Sequence, residues 1–151
     1  MGMKIGIICS HGGHWTETRH IFAAFEGYDR FIATYMSARA ADVQQVGRAY
    51  FTQDIGRNPY RMARTFVWAA TVLRKERPQV LISMGAEIAI PFFYLGKLFG
   101  CKTIFIESWC RVTSVSQTGK LVYPVSDVFF VQWPQLCPIA GKKAQFAGAI
   151  L

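Results

Sequence analysis

Lys4-Ile5-Gly6-Ile7-Ile8-Cys9-Ser10-His11-Gly12-Gly13-His14, near the head of the 151-residue chain, joins an apolar run to a glycine turn. The run from Lys4 to Cys9 is short and rich in isoleucine, which reads as a buried strand. After the turn, a helix is expected from about Trp15 to Phe25. Strand, glycine turn and helix in that order form the opening unit of an α/β sheet.

The same alternation continues along the chain. Arg30–Tyr35, a short run near Ala49–Thr52, Val80–Ser83, Thr103–Glu107 and Val128–Gln132 read as further strands. Asn58-Pro59 is a helix start, with Asn as N-cap and Pro at the first helical position; that helix runs to about Glu76 and stops before Pro78. Glu87–Phe99 is a second long helix, ended by Gly100. A helix or turn is expected around Thr118–Tyr123, and the tail Ala144–Ile150 is placed as an edge strand. The pattern predicts a Rossmann-like α/β fold, a mostly parallel sheet with helices on both faces, in one domain over residues 1–151.

Composition supports this and narrows the function. Hydrophobic residues make up 52% of the chain and charged ones 17%, so core-forming material is abundant. Seventeen Lys+Arg against nine Asp+Glu give a net charge of +8, which draws the chain to something anionic. The four cysteines show no C-x-x-C pairing and read as ordinary thiols of a reducing cytosol. The longest apolar stretch, Ile88 to Gly100, is broken by Pro91, Gly96 and Lys97. A bilayer span needs about 20 apolar residues, so no crossing is expected.

In open α/β sheets, ligands collect at the carboxyl ends of the strands. Three segments fall there: Ser10-His11-Gly12-Gly13-His14, Ser83-Met84-Gly85-Ala86-Glu87 and Glu107-Ser108-Trp109-Cys110-Arg111. The first two lead into helices, whose amino ends offer free N–H groups to an anion. Gly12, Gly13 and Gly85 admit a phosphate close to the backbone. Ser10–His14 alone matches neither G-x-G-x-x-G nor a P-loop; three loops on one edge make the case for a site.

His14, Glu87 and Glu107 are the titratable candidates: a His or Glu at such an edge can act as a general base if burial tunes its pKa. Each also has a structural alternative. His14 can bond a backbone group, Glu87 can complement a helix dipole, and Glu107 can pair with Arg111. Asp-x-Asp is absent and no His/Cys spacing suits zinc, so neither metal nor cofactor is expected. On the helix after Pro59, Arg57, Arg61, Arg64 and Trp68 fall along one face and suggest a membrane contact, arginines on lipid phosphates and Trp68 at headgroup level. A solvated basic face is the plainer reading.

Several segments in series resemble one family. They are the Gly-Gly-His loop, Phe105-Ile106-Glu107-Ser108 with Arg111, Thr118-Gly119-Lys120-Leu121-Val122-Tyr123-Pro124, and Phe130-Val131-Gln132-Trp133-Pro134. The family is that of asparagine-linked glycosylation protein 14 and its bacterial PssD-type relatives. The resemblance implies the amino-terminal, acceptor-binding half of a GT-B glycosyltransferase, similar to the acceptor domain of MurG-type enzymes. It implies a separate donor-binding partner, similar to asparagine-linked glycosylation protein 13 or PssE, that holds the UDP-sugar. It also implies a polyprenyl-diphosphate-linked saccharide as acceptor, on the cytosolic membrane face. By likeness, His14 is the candidate base, Gly12 and Gly13 would meet the acceptor's diphosphate or sugar, and Glu107, a second catalytic candidate, would line the same cleft with Ser108 and Arg111. Ser10, His11, Gly85 and Glu87, from the same strand-end loops, are expected to bind the acceptor too. Eukaryotic members carry an amino-terminal anchor not seen in this sequence, so the expected location is cytoplasmic and peripheral on an anionic membrane. His11 stands where the motif is usually small. No nucleic-acid partner is expected. The alternatives are a non-catalytic module that recruits or activates a complete transferase, and a free-standing nucleotide-binding domain.

Overall fold

A computed structural model describes residues 2–150. Seven strands form one sheet in the order β3-β2-β1-β4-β5-β6-β7. They are β1 (Lys4–Ile8), β2 (Asp29–Tyr35), β3 (Arg48–Thr52), β4 (Val80–Ser83), β5 (Lys102–Ile106), β6 (Val128–Phe130) and β7 (Ala144–Gln145). Every pairing is parallel, as in Ile7 opposite Ile32 and Ile82. The helices are α1 (Gly13–His20), α2 (Ala40–Gln45), α3 (Pro59–Glu76), α4 (Ala89–Leu98), α5 (Gln117–Val122) and α6 (Cys137–Ala140).

Parallel strands are covered on both faces, and the core divides accordingly. One layer gathers Phe31, Leu81, Phe92, Phe93, Phe105 and Phe129. The other gathers Ile5, Ile7, Trp15, Ile32, Val43 and Ile82. Gly6 sits mid-strand because a Cβ there would lie 2.7 Å from both Leu81 and Phe31. The Phe31 ring fills the space that a larger residue would take.

The sequence expectations hold for the first six strands within a residue or two, and the sheet is wholly parallel rather than mostly so. Asn58 caps α3, its side chain accepting from the N–H groups of Tyr60 and Arg61. Three boundaries differ. The Trp15–Phe25 segment is two pieces, α1 ending at His20 and a 3-10 turn over Phe22–Phe25. Glu87 precedes α4, which starts at Ala89. The tail contributes only Ala144 and Gln145 to the sheet. Among the described residues no helix is long and apolar enough to cross a membrane.

Glu76 closes the end of the sheet where β1, β2 and β3 begin. It is 4% exposed in the last turn of α3, where a carboxylate opposes the helix dipole. Its oxygens accept from the Tyr50 hydroxyl (2.6 Å), Lys4 Nζ (3.0 Å) and Arg48 (3.1 Å). Burial pushes its pKa up, but these three partners outweigh that and hold it below the ordinary carboxylate value.

Candidate functional site

Strand order reverses direction between β1 and β4, which opens a crevice at their carboxyl ends. A cleft of about 540 Å³ lies there, lined by residues of the β1, β4 and β5 loops and the start of α5. It brings together Ser10, Gly13, His14, Gly85, Glu87, Glu107, Ser108 and Arg111 from the sequence reading, and adds Glu17, Ser116, Gln117 and Thr118. His11 and Gly12 belong to the same loop but do not line it. His11 is exposed and its ring meets Tyr35 edge-on at 6.1 Å.

Gly12 is the N-cap of α1 and no side chain caps that end, so the first-turn N–H groups face whatever enters the cleft. His14 follows in the first turn. Its Nδ1 is buried without a hydrogen-bond partner. The imidazole lies against Gly85, where a Cβ would fall 2.7 Å from Cε1, 3.0 Å from Nδ1 and 3.3 Å from Nε2. Gly85 has φ +127 and Ala86 φ +72, so the β4 loop holds two consecutive residues at positive φ beside the ring. The Ser83 hydroxyl accepts from the Gly85 N–H at 3.1 Å and fixes the turn. Gly85 lines the cleft as the sequence reading expected, and the side of it where a Cβ would stand is taken by His14.

Glu107 is 1% exposed and does not pair with Arg111. Its Oε1 accepts from the Ser108 N–H (3.0 Å), and its Oε2 accepts from the N–H (2.9 Å) and hydroxyl (3.0 Å) of Ser116. The carboxylate therefore ties the end of β5 to the N-cap of α5, whose Ser116 hydroxyl accepts from the Gly119 N–H (2.9 Å). The next residues are pinned from outside the loop. Gln132 donates to the Glu107 carbonyl (3.1 Å), and Trp133 Nε1 donates to that of Trp109 (2.7 Å). Arg111 ends the loop exposed and without a salt bridge among the described residues.

Sequence reasoning missed Glu17. It is 7% exposed, one helical turn beyond His14, and accepts from the Ser108 hydroxyl (2.7 Å) and the Trp109 N–H (3.3 Å). The His-x-x-Glu spacing after a Gly-Gly turn was the available signal, since positions three apart on a helix share a face. Glu17 and Glu107 are held by hydroxyl and N–H donors alone, so the floor of the cleft is acidic. The positive charge lies elsewhere: of the Lys and Arg among the described residues, only Arg111 lines the cleft.

The expected membrane face is split. Arg57, Arg61 and Arg64 are exposed at the start of α3. Trp68 is half-buried and packs edge-on against Phe92 at 5.5 Å, so its ring serves the core. The large apolar side chains exposed on this helix are Tyr60, at 70%, and Val67, at 71%. A cavity of about 740 Å³, larger than the cleft, lies at the opposite end of the sheet beside Arg74, Arg77 and Phe99. Arg74 and Arg77 stand at the carboxyl end of α3, where cations complement the dipole.

Comparison with known proteins fits this architecture. Solved structures with the same fold include MurG of Acinetobacter baumannii, with TM-score 0.77 and 12% identity over 97% of this chain and 45% of that one. UDP-N-acetylglucosamine 2-epimerase of Rickettsia bellii gives TM-score 0.75 and 15% identity over 99% of this chain and 46% of that one. A UDP-N-acetylglucosamine transferase subunit ALG14 of Candida albicans is 41% identical over 78 residues, 48% of this chain and 36% of the relative. The human protein of that description is 25% identical over 89% of this chain and 77% of its own length. The alg14 subunit of Aspergillus fumigatus is 54% identical over 46 residues, 19% of its length, so the matched stretch is a minor part of these fungal relatives. A family model described as "Oligosaccharide biosynthesis protein Alg14 like" matches residues 35–150, which include the β4 and β5 loops of the cleft, and the chain belongs to that family.

Proposed function

We propose that residues 1–151 form the acceptor-binding unit of a two-component glycosyltransferase. The unit acts with a donor-binding partner that presents a UDP-sugar, N-acetylglucosamine by the description of the relatives. The acceptor is a polyprenyl-diphosphate-linked saccharide. The observation that carries the reading is the His14 imidazole at the mouth of α1, held against Gly85 inside the switch-point cleft. In this reading the open amino end of α1 and Arg111 take the acceptor phosphates. His14 takes the proton of the acceptor hydroxyl as that oxygen bonds the anomeric carbon and UDP departs. The acidic floor disfavours a phosphate, which confines the diphosphate to the mouth. Glu107, one of the two catalytic candidates, serves here by holding the loop that carries Ser108 and Arg111.

Two further features support the reading. The fold is that of part of the MurG chain. Because α3 follows the carboxyl end of β3, Arg57, Arg61 and Arg64 stand at the same edge of the sheet as the cleft. That edge is the membrane-facing one in this proposal, with Tyr60 and Val67 as the apolar contacts in place of Trp68.

The test is turnover by the reconstituted pair with a polyprenyl-diphosphate saccharide. His14→Ala is expected to lower kcat by about 10²–10⁴-fold while co-purification with the partner is retained. Undiminished turnover by an assembled His14→Ala pair removes the catalytic role and leaves a recruiting module.

A further inference from the structure

Three consecutive N–H groups after β5 are each met by a side chain. Ser108 donates to Glu107 (3.0 Å), Trp109 donates to Glu17 (3.3 Å), and Cys110 donates to the Ser108 hydroxyl (3.4 Å). Glu107 reaches its target from the adjacent position. Glu17 comes from α1, across 91 residues of chain, and also accepts from the Ser108 hydroxyl at 2.7 Å. Its two oxygens thus grip the β5 loop at two successive residues, one through a side chain and one through the backbone.

α1 carries His14 at its other turn. The helix is short, eight residues, and its amino end has no side-chain cap. Trp15 anchors the helix to the core, and two contacts tie it to the loops of the cleft: the His14 ring on Gly85 of the β4 loop, and the Glu17 carboxylate on Ser108 and Trp109 of the β5 loop. The first is a packing contact of a half-buried ring. The second is directional, charge-assisted and 7% exposed, so it resists rotation of the helix about its axis.

We propose that Glu17 is a positioning residue for the transfer reaction, holding His14 and Arg111 at a fixed separation by locking α1 to the β5 loop. The proposal rests on the base role given to His14 above. Glu17 need not touch the substrate; it acts through the helix and the loop. A displacement of a reacting group by about 1 Å can cost on the order of 10²-fold in rate.

The experiment uses the full chain reconstituted with its donor-binding partner. Glu17→Gln keeps shape and can still accept the short Ser108 bond through its amide oxygen, while its NH₂ cannot accept from Trp109. Glu17→Ala loses both bonds. Expected are a kcat about tenfold lower for Glu17→Gln and about a hundredfold lower for Glu17→Ala, with KM for the UDP-sugar within twofold of wild type in both. Amide exchange at Trp109 is expected to quicken in the isolated chain in the same order, a readout independent of turnover. Equal kcat for Glu17→Gln and wild type alongside quickened Trp109 exchange overturns the proposal, because the lock is then loosened without consequence. Unchanged Trp109 exchange in both variants overturns it too, since the lock does not then hold the loop. If the wild-type pair itself shows no turnover, the functional reading has failed, and the exchange data then judge the lock alone. Should Glu17→Ala fail to fold, Glu17→Gln carries the test.

Discussion

Gly85→Ala separates two roles for the β4 loop. A Cβ at this position falls 2.7 Å from His14 Cε1 and 3.0 Å from Nδ1, and the backbone stands at φ +127. An alanine held at such an angle costs about 1–3 kcal/mol. The steric clash adds little to stability, because the imidazole is half-buried and can swing toward the open cleft. The stability loss should therefore stay near the strain figure, readable by urea denaturation. Activity should fall much further, by about 10²-fold for a base moved by roughly 1 Å. The decisive assay is a double-mutant cycle in the reconstituted pair. Once His14→Ala has removed the ring, Gly85→Ala has nothing left to displace. The double variant should then turn over at the rate of His14→Ala alone, a coupling of about 2.7 kcal/mol for a 10²-fold effect. If Gly85→Ala instead slows the His14→Ala pair by its full factor, the glycine meets the acceptor directly and the argument from the ring contact is refuted.

Other variants probe the surrounding framework. Glu107→Gln turns an NH₂ group toward the donors of Ser108 or Ser116, and the stranded donor should lower stability by about 1–3 kcal/mol in chemical denaturation. An unchanged midpoint would mean that the β5–α5 tie is dispensable. Glu76 has a folded-state pKa below its ordinary value, because Tyr50, Lys4 and Arg48 outweigh its burial. Its contribution is thus complete above the unfolded value of about 4.3 and drains away as pH falls through the lower folded value. The stability gap between wild type and Glu76→Gln should be constant near neutrality and narrow below about pH 4.3; a gap that widens on acidification contradicts the assignment. Changing Arg57, Arg61 and Arg64 together to Glu should abolish flotation with anionic liposomes, and doing so should spare the fold because all three are exposed. Unaltered flotation removes α3 as the membrane face.

The strands and the switch-point edge were legible because each strand is a short apolar run between turn residues, a pattern written locally. Asn58-Pro59 announced α3 for the same reason. The segment Ala40–Gln45 was not read as helix: it buries only Val43, too few apolar positions to establish a period. Trp68 was read from helical spacing alone, which places it near the arginine stripe. The spacing does not show that α4 brings Phe92 up to its ring.

Glu17 shows most clearly where local reading stops. In Thr16-Glu17-Thr18-Arg19-His20 it sits in a polar run, its spacing from His14 the one local signal, and a carboxylate is among the residues least often buried. What buries it is the β5 loop, which reaches α1 only because β5 lies beside β4, and β4 beside β1, in the assembled sheet. The donors that meet its charge, Ser108 and Trp109, are ordinary residues in their own neighbourhood. Local period determines which residues face inward, but strand order determines which loops share an edge, and strand order is not encoded in any one segment. Glu107 illustrates the same point from the other side: it was identified for its place at a strand end, yet its partner is Ser116, the cap of a later helix, and not the nearby Arg111. A carboxylate at a strand end can therefore be recognised from sequence as part of the site, while its task, to attack or to hold, depends on what the topology places opposite it.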